Sequence, residues 1–156
     1  MNIKHVNIYT DGCSLGNPGP GGYGIIIEYK GVKKEFSQGF RLTTNNRMEL
    51  SAVVEALSML KERCSVHVYT DSQYVVNGIN KGWARRWREK GWMRNRTDKA
   101  ENPDLWGRLL DAVDRHDVKF FWVRGHAGHV ENEQCDKLSK LSAMGNGLPE
   151  DSGYNR

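Results

Sequence analysis

Apolar and polar residues alternate from His5 to Asp11, with Val6 and Ile8 on one side, and this period of two predicts a strand. The isoleucine-rich run Tyr23 to Tyr29 predicts a second strand. A turn near Lys30-Gly31 leads to a third, around Lys33 to Leu42. These three read as a meander of antiparallel hairpins. The period then changes. Thr43-Thr44-Asn45-Asn46 is a helix-start signal, and Leu50, Val53, Val54, Leu57 and Leu60 follow at helical spacing. Val66 to Thr70 predicts a strand, and Asp71-Ser72 opens a helix reaching about Asn80. A basic, tryptophan-rich segment predicts a short helix and a loop. Asn102 to Asp114 reads as a helix with Leu105, Trp106, Leu109, Leu110 and Val113 apolar. Val118 to Val123 reads as a strand and Glu131 to Ala143 as a last helix. From Gly145 onward the chain is polar and expected to fray. The order β-β-β-α-β-α-α-α-β-α predicts an α/β domain, a five-stranded mixed sheet with helices packed against it.

Composition narrows the class. A chain of 156 residues with 38% apolar and 27% charged residues is one ordinary globular domain with a core large enough to need no staples. It has no apolar run long enough to span a membrane and no signal-peptide pattern at Met1 to His5, so the expected location is the cytosol. Cys13, Cys64 and Cys135 are odd in number and form no Cys-x-x-Cys pair, which argues against a disulfide framework or a zinc ribbon. The net charge is +4, but its distribution matters more. Seven basic residues between Lys81 and Arg96, against the single acid Glu89, leave this stretch at +6. Such a patch suits a polyanion, although charge runs are often solvated helix faces. Trp83 and Trp87 share a helix face there. Aromatics among cations can hold nucleic acid, and at least one of the pair is expected to be packing.

Four acids stand in places that raise questions. Val6-Asn7-Ile8-Tyr9-Thr10-Asp11 is echoed by Val66-His67-Val68-Tyr69-Thr70-Asp71, each a strand ending in Asp. In open α/β sheets chemistry collects beyond the carboxyl ends of strands. If the two strands are parallel neighbours about 4.8 Å apart, Asp11 and Asp71 lie side by side. They would then share a proton or a divalent cation, unless each merely caps the segment that follows. Glu49 falls on the inward side of its helix, where an acid is costly unless paired or metal-bound, yet Asn46 to Glu49 also has capping-box spacing. Asp136 borders the stripe Cys135, Leu138, Leu141 and reads from period alone as a surface acid.

His126 and His129 lie in the glycine-flanked loop Gly125-His126-Ala127-Gly128-His129, where a histidine can move protons or be plain surface. A zinc site from His126, His129 and Cys135 has no established spacing. Six glycines between Gly12 and Gly24 lack a phosphate-loop signature. They permit unusual backbone angles or a close approach to a bulky ligand.

Taken together, Tyr9-Thr10-Asp11-Gly12, Gly16-Asn17-Pro18-Gly19-Pro20-Gly21-Gly22, Thr43 to Leu50, Thr70-Asp71-Ser72-Gln73-Tyr74-Val75, and Trp122 to His129 continuing through Glu131-Asn132-Glu133 to Cys135-Asp136 resemble type 1 ribonuclease H, in order and over nearly the whole chain. The resemblance implies a ribonuclease H-like fold, with three antiparallel strands followed by two parallel ones. It implies a catalytic domain over 1–144 with a basic protrusion at about 81–100, and a polar tail over 145–156. It implies a carboxylate site of Asp11, Glu49, Asp71 and Asp136, with His126 beside it. The implied cofactor is a pair of Mg²⁺ ions, with Mn²⁺ as a substitute. Gly12, Cys13, Asn17, Thr44, Asn45, Asn46, Gln73 and Trp83 match family positions that contact substrate. The implied activity is largely sequence-independent cleavage of the RNA strand of RNA/DNA hybrids; the chain is expected to be a monomer, with no obligate protein partner evident. Three other classes compete: a hybrid-binding module without catalysis, another nuclease of the same fold, and a metal-free acid–base hydrolase. Magnesium-dependent cutting excludes the first, preference for hybrid over duplex DNA the second, and sensitivity to chelator the third.

Overall fold

The computed structural model describes residues 3–124 and 129–154. Its elements are β1 (Lys4–Ser14), β2 (Gly19–Tyr29), β3 (Val32–Thr43), α1 (Asn45–Ser58), β4 (Cys64–Thr70), α2 (Gln73–Asn80), α3 (Trp83–Glu89), α4 (Pro103–Asp114), β5 (Asp117–Trp122) and α5 (Val130–Ala143). The strands form one sheet in the order β3-β2-β1-β4-β5. The hairpins β1–β2 and β2–β3 are antiparallel, whereas β1–β4 and β4–β5 are parallel. The expected five-stranded mixed sheet is therefore the observed one.

Its two faces are covered differently. α1 packs on β1 and β2 with α4 against its outer side, and α5 lies across β1, β2 and β3 on the opposite face. α1 is thus enclosed on two sides. Met48, Leu50, Val53, Val54 and Leu57 are all buried, together with the strand residues Val6, Ile8, Ile25, Val66 and Val68. Burying each such side chain contributes about 1.5–3 kcal/mol. A second focus forms where α2, α3 and α4 meet around Trp106, which is fully buried. Its indole N–H donates to the Tyr74 hydroxyl at 2.9 Å, and Trp87 meets it edge-on at 6.0 Å. Trp87 is therefore the packing member of the tryptophan pair. No helix among the described residues is long and apolar enough to cross a membrane.

Four details complete or correct the expectations. The helix caps are Thr44, whose hydroxyl accepts from the Arg47 N–H, and Ser72, which accepts from the Val75 N–H. Neither Asn46 nor Asp71 does that work. The glycine stretch is mostly strand. Among its glycines Gly16 has the expected unusual backbone angle, φ 92°, and others allow close packing within the protein, since a Cβ on Gly24 would strike the Cys135 carbonyl of α5. Leu141 is 61% exposed rather than core. The tail is fastened: Asp151 pairs with the buried Arg47 and accepts from the Thr43 hydroxyl at 2.7 Å.

Candidate active site

β1 and β4 run parallel in register, with Val6 opposite Val66, Tyr9 opposite Tyr69 and Thr10 opposite Thr70. The echoed fragments are thus physical neighbours, and their terminal acids emerge together at the carboxyl edge of the sheet. α1 supplies the third acid. Gly12 permits this, because a Cβ there would stand 2.5 Å from the Met48 carbonyl carbon and 2.6 Å from the Glu49 nitrogen. Any side chain at residue 12 would push the first turn of α1, and with it Glu49, away from Asp11.

Oxygens of Asp11, Glu49 and Asp71 all lie within 4.8 Å of one another. Asp11 and Glu49 are each 7% exposed, and Glu49 Oε1 and Asp71 Oδ1 are buried without a hydrogen-bond partner among the described residues. The Gly12 N–H donates to Asp11 Oδ1 at 2.8 Å. Asp136 approaches from α5, lining the same cleft as the other three acids and held by Lys140 at 3.0 Å. The reading of Asp136 as a surface acid fails, because its helix crosses the sheet at β1.

Electrostatics follow from crowding. Burial is the largest cause pushing the Asp11 carboxyl up to about 8, reinforced by the charge of Asp71 and by the hydrogen bond and charge of Asp136, with the Gly12 N–H pulling the other way. Burial, then the charges of Asp11 and Asp71, hold Glu49 well above the ordinary carboxyl range. Such an assembly strains against itself in isolation. Hard oxygens with unsatisfied lone pairs, gathered in one cleft, suit a divalent cation of the Mg²⁺ type. That donor set fits; the described residues place no histidine or thiol in the cluster.

The RNase H family model matches residues 3–144. The chain belongs to the RNase H family. A ribonuclease H from Desulforamulus reducens is 60% identical over 150 residues, covering 96% of this chain and 94% of that one. One from Syntrophus aciditrophicus is 60% identical, covering 97% and 87%. Among solved structures, LC9-RNase H1, a type 1 RNase H with the type 2 active-site motif, superposes with a TM-score of 0.82 at 36% identity, covering 92% of this chain and 74% of that one. The protein is thus a ribonuclease H by family, a nuclease whose family depends on metal, and the acid cluster is its candidate metal centre.

The other residues expected at the site of this ribonuclease H divide into three groups. Gly12, Cys13, Asn45, Asn46 and Gln73 line the same cleft as the acids, joined by Ser72 and Tyr74, which sequence reasoning passed over. Asn17 and Thr44 act on the cleft's rim: Asn17 Oδ1 accepts from the Asn45 N–H at 3.2 Å, Asn45 Oδ1 accepts from the Ser14 N–H at 2.9 Å, and Thr44 caps α1. Trp83 stands apart from the acids, in a separate groove with Arg86, Trp87, Lys90, Met93 and Arg94 and with the Lys81 ammonium 5.4 Å from its ring centre. His126 lies outside the described residues. The basic stretch is partly neutralised, since Arg85 pairs with Asp114, Arg88 with Asp111 and Arg94 with Asp98. Trp122 was not anticipated at the site; its indole N–H donates to the Asp71 carbonyl at 3.0 Å.

Proposed function

We propose that this ribonuclease H is a cytosolic, monomeric endonuclease that cuts the RNA strand of RNA/DNA hybrids, leaving 5′-phosphate and 3′-hydroxyl ends. The observation that carries the reading is the trio Asp11, Glu49 and Asp71, two of them buried and the third half-buried, with oxygens within 4.8 Å of one another and with Glu49 Oε1 and Asp71 Oδ1 unpartnered among the described residues, in a chain of this family. LC11-RNase H1, a structure of the same fold, is in complex with an RNA/DNA hybrid. Asp11, Glu49, Asp71 and Asp136 would hold two Mg²⁺ ions, whose charge offsets that of the four carboxylates; Mn²⁺ would substitute. Ions held there would supply the chemistry of an acidified water and of charge stabilisation at a leaving oxygen.

The protein's own groups do the rest. Asp11 stands centrally, next to each of the other three acids. Glu49 and Asp71 would serve the leaving-group side and Asp136 the side of the attacking water, with His126 assisting proton transfer or product release. The Gly12 and Cys13 backbone, Asn17, Thr44, Asn45, Asn46 and Gln73 would read 2′-hydroxyls across a wide minor groove. Trp83 and those cations of the protrusion that make no ion pair among the described residues would hold the DNA strand through its phosphates, largely without regard to sequence.

The test is an RNA strand labelled within a hybrid, incubated with Mg²⁺ and with wild type or Asp11→Asn, beside duplex RNA and duplex DNA. Cutting of the hybrid alone, abolished by chelator and by the substitution, is expected. Binding without cutting, even with Mn²⁺, would replace the nuclease with a hybrid-binding module.

A further inference from the structure

Asn132 stands on the first turn of α5, one turn before Asp136 and on the same helix face. Its side-chain Nδ2 donates to the Tyr69 carbonyl at 3.0 Å and lies 3.4 Å from the Thr10 carbonyl. These are the carbonyls just upstream of Asp71 and Asp11, on two strands that are parallel neighbours. A primary amide has two donor hydrogens, and both are directed at strand ends that carry an active-site acid. The orientation of the amide follows, because carbonyls can only accept. Among the described residues no other side chain hydrogen-bonds to the main chain of both β1 and β4.

The neighbouring carbonyls are also held. The Val123 N–H donates to the Thr70 carbonyl at 2.9 Å and the Trp122 indole to that of Asp71 at 3.0 Å. The backbone bearing Asp71 is thus tied residue by residue, and Asn132 is the tie that reaches α5. That helix brings Asp136 to Asp11. A shift of α5 by one ångström along the strands would therefore separate Asp136 from the other acids, leaving the trio of Asp11, Glu49 and Asp71 assembled without it.

We propose that Asn132 is a positioning residue for hybrid cleavage. Its amide locks the register of α5 against the ends of β1 and β4, so that the fourth carboxylate meets the other three at a spacing a divalent ion accepts. Asn132 does not line the cleft of the acids and would act through the backbone that bears them. The inference rests on the metal-dependent hydrolysis proposed above.

The test compares Asn132→Ala and the isosteric Asn132→Asp, which exchanges the donor for an acceptor, with Asn80→Ala. Asn80 is an equivalent staple between helix and strand, donating to the Phe120 carbonyl at 3.2 Å on the far side of the sheet end. Cleavage kinetics, calorimetric Mg²⁺ titration without substrate, and urea unfolding are measured for each. The Asn132 variants should lose kcat about 10–100-fold and bind Mg²⁺ about tenfold more weakly, with KM for hybrid within about twofold. Asn80→Ala should keep wild-type kcat and Mg²⁺ affinity at a comparable loss of stability. Equal kcat at equal stability for Asn132 and Asn80 variants, or unchanged Mg²⁺ affinity in Asn132→Ala, would overturn the proposal. Should neither Asn132 variant fold, the wild-type Asn132 side-chain NH₂ signals decide. Slow hydrogen exchange and a shift on adding Mg²⁺ support it, and exchange as fast as a surface amide overturns it. Wild type that cuts no hybrid would instead sink the hydrolytic reading itself.

Discussion

Removing the Asp151 carboxylate should cost the protein far more than a change in a C-terminal tail ordinarily does. Arg47 has a side chain only 3% exposed, and all five of its N–H groups have acceptors. Nε and one Nη2 hydrogen bond to Asp151 at 2.7 and 3.1 Å. The other Nη2 hydrogen and one of Nη1 bond to Asp104 at 2.8 and 3.0 Å. The last bonds to Asn102 at 3.2 Å. Asp151→Ala leaves two donors of a buried cation, and the Thr43 hydroxyl, without a partner. Breaking a buried ion pair from one side costs about 3–5 kcal/mol. Asp104 survives as a counter-ion, so the low end applies: about 3 kcal/mol, or a fall in Tm of about 6–12 °C. Asp104 has a side chain 41% exposed against 10% for Asp151. Water can take its place, so Asp104→Ala should cost only about 1 kcal/mol. Urea unfolding at pH 7 in 0.1 and 1 M NaCl measures both. The Asp151 loss should persist in high salt, because a buried pair is little screened. A loss below about 0.5 kcal/mol for Asp151→Ala, or one smaller than that for Asp104→Ala, would refute the reasoning.

Three further outcomes are expected. Asp71→Asn should abolish cleavage yet stabilise the metal-free protein at pH 7 by about 1–2 kcal/mol, because it removes a charge that pushes on Asp11 and Glu49; unfolding in the presence of chelator tests this, and a destabilised variant contradicts it. His116 is 7% exposed and accepts the Cys64 N–H at its Nδ1, 3.1 Å away. Burial first, then Arg115 and Arg63, lower its pKa from 6.5. The unfolded chain therefore binds the proton more readily, so this contribution is complete above about pH 6.5 and drains away as pH falls through that value. The difference in unfolding free energy between wild type and His116→Gln should shrink from pH 7.5 to 5, and a constant difference would contradict it. Lys90 borders the Trp83 groove and makes no ion pair among the described residues, whereas Arg85 is paired with Asp114. Lys90→Ala should lower the salt slope of hybrid binding by about one, and Arg85→Ala by less; equal slopes would place the protrusion's contacts elsewhere.

What could be read in advance, and what could not, divides along a physical line. The meander and helix α1 were legible because burial of apolar side chains imposes a period on the chain, whereas the parallel β4–β5 pair came with the family resemblance. The echo of Val6–Asp11 in Val66–Asp71 was legible for a related reason: parallel neighbours in register present like residues to like surroundings, down to Tyr9 stacked on Tyr69 at 5.2 Å. Asp136, Asn132, Arg47 and Asp151 escaped the hydrophobic pattern. Each is polar, and whether a polar residue is buried depends on partners far along the chain. Arg47 and Asp151 are separated by more than a hundred residues, and Asn132 meets Thr10 from α5 across a similar distance. No local period encodes such a meeting. The family motifs carried Asp136 where period failed, since a motif preserves the outcome of long-range packing without giving its cause. Arg47 lies in the first turn of α1, two residues from Glu49, and Asn132 one turn from Asp136. Two of the four proposed active-site acids thus stand within a turn of polar residues whose long-range bonds only the fold discloses. The parts of the site hardest to infer from sequence are those that set its geometry, rather than those that carry its charge.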